Sequence, residues 1–166
     1  MLSCSPLIHT STHVAQVARV LKQAPAYHWL AVGHPATDED AVNLFTACPS
    51  ALHPEAKHIF GIYEYGTLIG VADILRGFPT PATAYLGLLL LAEPYQGQGR
   101  GRVALTLLEE TAAGWGGIDT MKLAVLKSNT HAHEFWRRCG FMPTGEERVN
   151  NEGKACTLYE KQLALE

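Results

Sequence analysis

Residues 91–102 read Leu91-Ala92-Glu93-Pro94-Tyr95-Gln96-Gly97-Gln98-Gly99-Arg100-Gly101-Arg102, and this stretch decides the fold. Before it runs Tyr85-Leu86-Gly87-Leu88-Leu89-Leu90-Leu91, too short for a typical helix and apolar on both faces. That pattern predicts a central strand buried on both sides. After it, Val103, Ala104, Leu107 and Leu108 fall on one face and predict a helix over 101–114. Alternating glycines thus join a buried strand to a helix whose first turn carries arginines. A helix N-terminus leaves four backbone N–H groups unpaired and bears partial positive charge, which suits a phosphate. Glycines let the backbone approach such an anion and take up positive φ. Arginine in a first turn opposes the macrodipole, so Arg100 and Arg102 make sense there beside an anion.

On either side the elements read as follows. Residues 1–50 are expected to be helical. Val14, Val17, Ala18 and Leu21 share a helical face after Ser11/Thr12, with Pro25 beyond the end. A second helix starts at Thr37, with Asp40 three residues on, and stops before Pro49. Between them lies the aromatic stretch Tyr27-His28-Trp29-Leu30. Two strand-like runs, 58–63 and 68–72, meet at the hairpin signal Tyr65-Gly66, and Gly77 to Pro81 makes a loop. Beyond the central helix come a strand over 121–126 and a helix over 130–139 stopped by Gly140-Phe141. Strands near 145–150 and 155–162 follow, joined by Asn150-Asn151-Glu152-Gly153. The order α-α-β-β-β-α-β-α-β-β predicts an α/β fold (α+β in some schemes) around one mixed sheet.

Composition narrows the classes. At 166 residues with 47% hydrophobic, the chain is expected to form a single domain, 1–166, with a sizeable core. Thirteen Lys plus Arg against sixteen Asp plus Glu leave −3, which argues against nucleic-acid or anionic-membrane binding. Cys4, Cys48, Cys139 and Cys156 lie far apart with no C-x-x-C pair, so reduced thiols and a cytoplasmic location are expected, without a zinc ribbon. His131 and His133 would point about 200° apart on a helix, poor geometry for a metal, and are expected at the surface. No metal is expected. The run Leu86–Ala92 falls far short of the ~20 residues of a membrane span.

The glycine loop selects among phosphate-binding patterns. A Rossmann G-x-G-x-x-G counted from Gly97 reaches Arg102 where the last glycine belongs, and the G-x-x-x-x-G-K-[ST] of a P-loop does not occur. Gln96, Gly99 and Gly101 instead fit [Q/R]-x-x-G-x-[G/A]. Further on, Asn129-Thr130-His131-Ala132-His133-Glu134-Phe135-Trp136-Arg137-Arg138-Cys139-Gly140-Phe141 fits N-x-x-A-x-x-[F/L]-[Y/W]-x-x-x-G-F at every fixed position. With both motifs in order, the chain over 57–161 resembles the GNAT superfamily of acyl-CoA N-acyltransferases.

The resemblance implies a mostly antiparallel sheet of about six to seven strands flanked by helices, with a splayed central pair. It implies acetyl-CoA as co-substrate and an N-acetyltransferase acting on a primary amine of a small molecule or peptide. Backbone amides from Gln98 through Arg102 (Gln98, Gly99, Arg100, Gly101, Arg102), in the motif opened by Gln96, would cradle the pyrophosphate. Main chain at Leu89, Leu90 and Leu91 would pair with pantetheine as an added strand does. Asn129 would both cap its helix and bond pantetheine; Phe135 and Trp136 would serve that arm or the core. Residues 1–50 would shape the acceptor side, with Tyr27, His28, Trp29 and Asp73 as linings, and a homodimer is left open.

The chemistry departs from the family pattern. The usual tyrosine acid is replaced by Trp136, and the usual central-strand glutamate is absent from Tyr85-Leu86-Gly87. Tyr85 is the first candidate acid, followed by Glu93, Asp73 and Cys139, with the backbone N–H of Leu91 or a neighbour as oxyanion donor. The alternative reading is a non-catalytic acyl-CoA-binding sensor on the same scaffold.

Overall fold

Leu2–Leu7 lies extended as strand β1 in the computed structural model, which describes residues 1–164. Its partner is β2 (Lys57–Glu64), with Leu2 opposite Glu64 and Leu7 opposite Ile59. This corrects the reading of residues 1–50 as helical throughout. A run this short shows no decisive period, and its Pro6 is tolerated because β1 is an edge strand.

The helices of this segment number three rather than two. Thr10 caps α1 (Ser11–Lys22), its hydroxyl accepting from the His13 amide at 3.2 Å. Pro25 lies past the end of α1, as expected, but it also opens α2 (Pro25–Val32), because a first-turn proline forfeits no helical hydrogen bond. The aromatic stretch 27–30 is therefore helical. At α3 (Asp38–Thr46) the expected cap forms reciprocally: the Thr37 hydroxyl accepts from the Asp40 amide, and the Asp40 carboxylate accepts from the Thr37 amide.

Tyr65 and Gly66, with φ of 49° and 78°, turn β2 into β3 (Thr67–Arg76), both positive as a type I′ hairpin requires. Then come β4 (Thr83–Leu91), α4 (Arg100–Gly114), β5 (Thr120–Leu126), α5 (Thr130–Arg138), β6 (Met142–Val149) and β7 (Ala155–Gln162). The sheet runs β1-β2-β3-β4-β5-β7-β6, antiparallel throughout except for the parallel pair β4–β5. This is the expected mixed, mostly antiparallel α/β sheet, with seven strands.

Two apolar layers cover the faces. Val17, Val20 and Leu21 of α1 and Ala41 of α3 pack with Ile59, Val71 and Leu90. Leu105, Leu108 and Ala112 of α4 pack with Ala72, Ile74, Leu86, Phe141 and Tyr159. Burying each large side chain of this kind contributes about 1.5–3 kcal/mol.

Two irregularities in β4 position the site. Ala84 and Leu86 face α4, whereas Leu88 and Leu90 face α1, so the inside-outside alternation reverses at Gly87. There Asp73 pairs with Leu88 and Ile74 with Leu86, making Gly87 the extra residue of a β-bulge. The second irregularity is that β4 pairs with β5 only at Thr83, Ala84 and Tyr85. Beyond Tyr85 the two strands part.

Candidate active site

The parted strands open a cleft of about 740 Å³, lined by Tyr85 to Leu91 on one side and Leu123 to Leu126 on the other. That volume lies within the range of roughly 300–1,000 Å³ typical of small-molecule sites. At one end the cleft reaches the glycine loop. Gly97 and Gly99 hold φ of 77° and 83°, conformations that favour glycine. Gly99 is the N-cap of α4 and has no side chain to accept from the helix's first amides. Those N–H groups therefore remain available to a ligand. Gln96 ties the loop to the strand, its side-chain amide donating to the Leu91 carbonyl at 2.7 Å.

The two first-turn arginines behave differently. Arg102 lines the cleft. The Arg100 side chain does not: its guanidinium donates to both oxygens of Glu64, at 2.6 and 3.1 Å, and to the Gln98 side chain, and lies over the Tyr95 ring. The anion expected beside Arg100 is thus supplied by the protein itself. The Arg100 bonds hold the Glu64 carboxyl below its usual range, against a smaller opposing effect of burial. Arg100 therefore has only its backbone to offer to a ligand in this region, and the Gln98 side-chain oxygen is likewise engaged.

Opposite the loop, Asn129 caps α5 by accepting from the Ala132 amide at 3.3 Å, and it also borders the cleft. Phe135 and Trp136 line the cleft and pack on the α4-side core at once. A Cβ on Gly101 would stand 3.4 Å from the Phe135 ring, so glycine there lets α4 and α5 approach.

Of the candidate acid and base groups, Tyr85 and Cys139 reach the cleft. Tyr85 sits edge-on to Phe78, with the Arg148 guanidinium over its ring and an Arg148 nitrogen 3.5 Å from its hydroxyl. Burial raises the Tyr85 phenol above its usual range, and Arg148 partly offsets this. Burial likewise raises the Cys139 thiol. Glu93 is not among the lining residues. Its carboxylate accepts from the Ala26 amide at 3.0 Å at the start of α2, and its own amide donates to the Gln23 carbonyl. Asp73 forms an ion pair with Lys57 at 2.9 Å under the α1-side face of the sheet.

The expected acceptor-side linings divide similarly. Tyr27 lines the cleft, whereas Trp29 is 54% exposed. His28 turns to the α2–α3 connection, with Nδ1 2.6 Å from the His34 carbonyl and Nε2 3.3 Å from Asp40. One donor atom each from His28, His34 and Asp40 lies within 4.8 Å of the others, and none of the three lines the cleft. His133 departs from the expected surface position. Its ring nitrogens meet the Tyr159 hydroxyl and the Leu126 carbonyl at 2.7 and 2.9 Å, joining α5 to the sheet. Arg148, Asn150 and Cys156 enter the cleft region from β6, the following turn and β7. No local motif marks them, because only the sheet order brings them there. Lys154 beside them donates to the Leu30 carbonyl at 2.7 Å and ties that turn to α2. Among the described residues, no helix is long and apolar enough to cross a membrane.

Comparison with known proteins agrees with this architecture. A solved acetyltransferase from Thermus thermophilus is 27% identical, with TM-score 0.76, covering 98% of this chain and 97% of its own. The ribosomal-protein-S18-alanine N-acetyltransferase of Escherichia coli shares 19% identity, with TM-score 0.72 over 100% of this chain and 96% of that one. The spermidine N-acetyltransferase of Vibrio cholerae, solved with CoA and spermine, shares 16% identity, with TM-score 0.72 over 98% and 95%. None of the curated proteins matches the chain. The sequence profile of the acetyltransferase (GNAT) family matches residues 17–141, and the chain belongs to that family.

Proposed function

We propose that the chain transfers an acetyl group from acetyl-CoA to a primary amine of a small molecule or peptide. The observation that carries this reading is the cleft between the parted β4 and β5, which runs to an uncapped helix N-terminus. An extended ligand carrying amides and a diphosphate matches both ends. Its amides would meet main chain at Leu89, Leu90 and Leu91, as an added strand does. Its diphosphate would meet the amides from Gln98 to Arg102, with the Arg102 side chain adding charge. Asn129, Phe135 and Trp136 border the path between.

Transfer then needs a neutral amine, a donor for the oxyanion and a proton for the leaving sulfur. Tyr85 supplies that proton: its phenol, kept protonated by burial, borders the cleft on the stretch of β4 that ends at Gly87. The reaction proceeds by direct attack through a tetrahedral intermediate, with no acyl group on the protein.

Two measurements test the reading together. Melting midpoints are recorded with CoA, acetyl-CoA, ATP and NAD, and free thiol is followed with acetyl-CoA across a panel of primary amines. CoA and acetyl-CoA raise the midpoint by binding only the native state, and at least one amine releases thiol. Stabilisation by ATP or NAD but not by CoA overturns the reading. Stabilisation by CoA without thiol release on any amine identifies an acyl-CoA sensor instead.

A further inference from the structure

Gly87 lines the cleft without a side chain, and the notch this leaves lies beside the buried carboxylate of Asp73, which does not itself line the cleft. Asp73 shares the α1-side face of the sheet with Val71, two residues earlier on β3. Lys57 shares that face with Ile59 on β2. Their side chains are only 14% and 6% exposed, and a single hydrogen bond from the Lys57 ammonium to Asp73 Oδ2 joins them. The second oxygen, Oδ1, is buried and has no partner among the described residues. A carboxylate so placed is short of donors, since an ionised carboxylate accepts at about four lone-pair sites. On the neighbouring strand the bulge puts exposed Gly87 directly beside it. A Cβ built on Gly87 would stand 3.3 Å from Asp73 Oδ2, the oxygen that Lys57 holds, so a side chain there would crowd the carboxylate from the cleft side.

We infer that Asp73 receives the acceptor: its carboxylate, reached through the notch at Gly87, holds the substrate ammonium and takes its first proton. This rests on the transferase reading above and names the proton acceptor it lacked. The family's usual carboxylate is missing from β4; here one projects from β3, and the bulge glycine gives it access. The protons balance. The acceptor arrives as R–NH3⁺ and gives one proton to Asp73. The freed lone pair forms the C–N bond at the thioester carbon, whose π electrons move to oxygen. On collapse the C–S bond breaks, and sulfur takes a proton from Tyr85. The second nitrogen proton, lost as the amide forms, restores Tyr85 through water, and Asp73 releases the first to solvent. Burial raises the Asp73 carboxyl above its usual range, which suits a proton acceptor, and Lys57 partly offsets this. Lys57 from β2 is the charged group facing Asp73, and Tyr85 is the titratable residue on the β4 stretch beside it.

The test compares wild type with Asp73→Asn and Gly87→Ala, the second keeping both partners of the ion pair while crowding Asp73 Oδ2. Thiol release over the amine panel is followed from pH 5 to 9, and melting with CoA is recorded alongside. Both variants are expected to keep the wild-type shift in melting midpoint with CoA, although Asp73→Asn, which leaves the buried Lys57 without its counter-charge, melts lower in the absence of ligand. Asp73→Asn loses roughly 10²–10⁴-fold in kcat/KM for the amine, together with the acid limb of the pH profile. Gly87→Ala raises KM for bulky amines more than for small ones. Asp73→Asn with near-wild-type kcat/KM and an unchanged acid limb overturns the assignment. If wild type turns over no amine, the transferase reading itself fails, and binding decides the site. Primary amines that stabilise the CoA-loaded wild type but neither variant then support Asp73 as the ammonium site; equal stabilisation of all three overturns it.

Discussion

Arg100 reaches back thirty-six residues to Glu64 and donates to both of its carboxylate oxygens, at 2.6 and 3.1 Å. The pair fastens the first turn of α4 to the end of β2. The hydrogen bonds from Arg100 are the main reason that the folded Glu64 carboxyl lies below its ordinary value. A depressed carboxyl stabilises the fold above its unfolded pKa, about 4.3 for glutamate, and that stability is lost as pH falls through the folded value. Glu64→Gln is therefore expected to melt below wild type at pH 7, with the gap closing on acidification below about pH 4. Melting midpoints from pH 3 to 8 check this; a gap that stays constant across the range contradicts it.

Glu93, a carboxylate placed by its sequence beside the loop, serves a different end. It accepts from the Ala26 amide in the first turn of α2, where negative charge also complements the helix dipole. Glu93→Ala is expected to cost about 1 kcal/mol in urea unfolding, the usual scale for a lost helix cap. Thiol release should stay within a few-fold of wild type. A loss of rate on the scale of a missing proton donor would return Glu93 to the chemistry.

Tyr85 tests the acid. Tyr85→Phe keeps the ring against Phe78 and under Arg148 but removes the hydroxyl. The expected result is a fall of roughly 10²-fold or more in kcat, with CoA-induced stabilisation unchanged. Loss of CoA binding instead would make Tyr85 a binding residue.

Gly99 separates charge from strain. Its φ of 83° disfavours most side chains, but Asn and Asp both tolerate the left-handed region and are nearly the same size. Gly99→Asn and Gly99→Asp therefore carry similar strain, and only the second places an anion at the N-terminus of α4. Gly99→Asp is expected to weaken CoA binding at least tenfold relative to Gly99→Asn, about 1.4 kcal/mol, by calorimetry. Equal affinities would locate the diphosphate elsewhere.

What was legible in the sequence was what is local. The strand–glycine–helix run of 85–114, the Tyr65-Gly66 turn, the Thr37–Asp40 cap and the Asn129 cap each rest on neighbours within a few residues. Backbone sterics and unpaired helix amides act over that range and write themselves into the sequence. The two motifs carried the family for the same reason. β1 and α2 were missed because one is too short to show a period and the other starts on a proline that also reads as a stop. Tertiary structure alone decided which side chains meet. Arg100 found its anion in Glu64, Glu93 went to α2, and His28 turned to Asp40, pairings that no motif in the sequence marks. The strands supplied the rest. Because β4 bulges at Gly87 and parts from β5 after Tyr85, Asp73 of β3 comes beside Gly87 and Arg148 of β6 beside Tyr85, two residues of the cleft wall. Alternation along a strand says which residues share a face, but only the register between strands says which of them stand side by side.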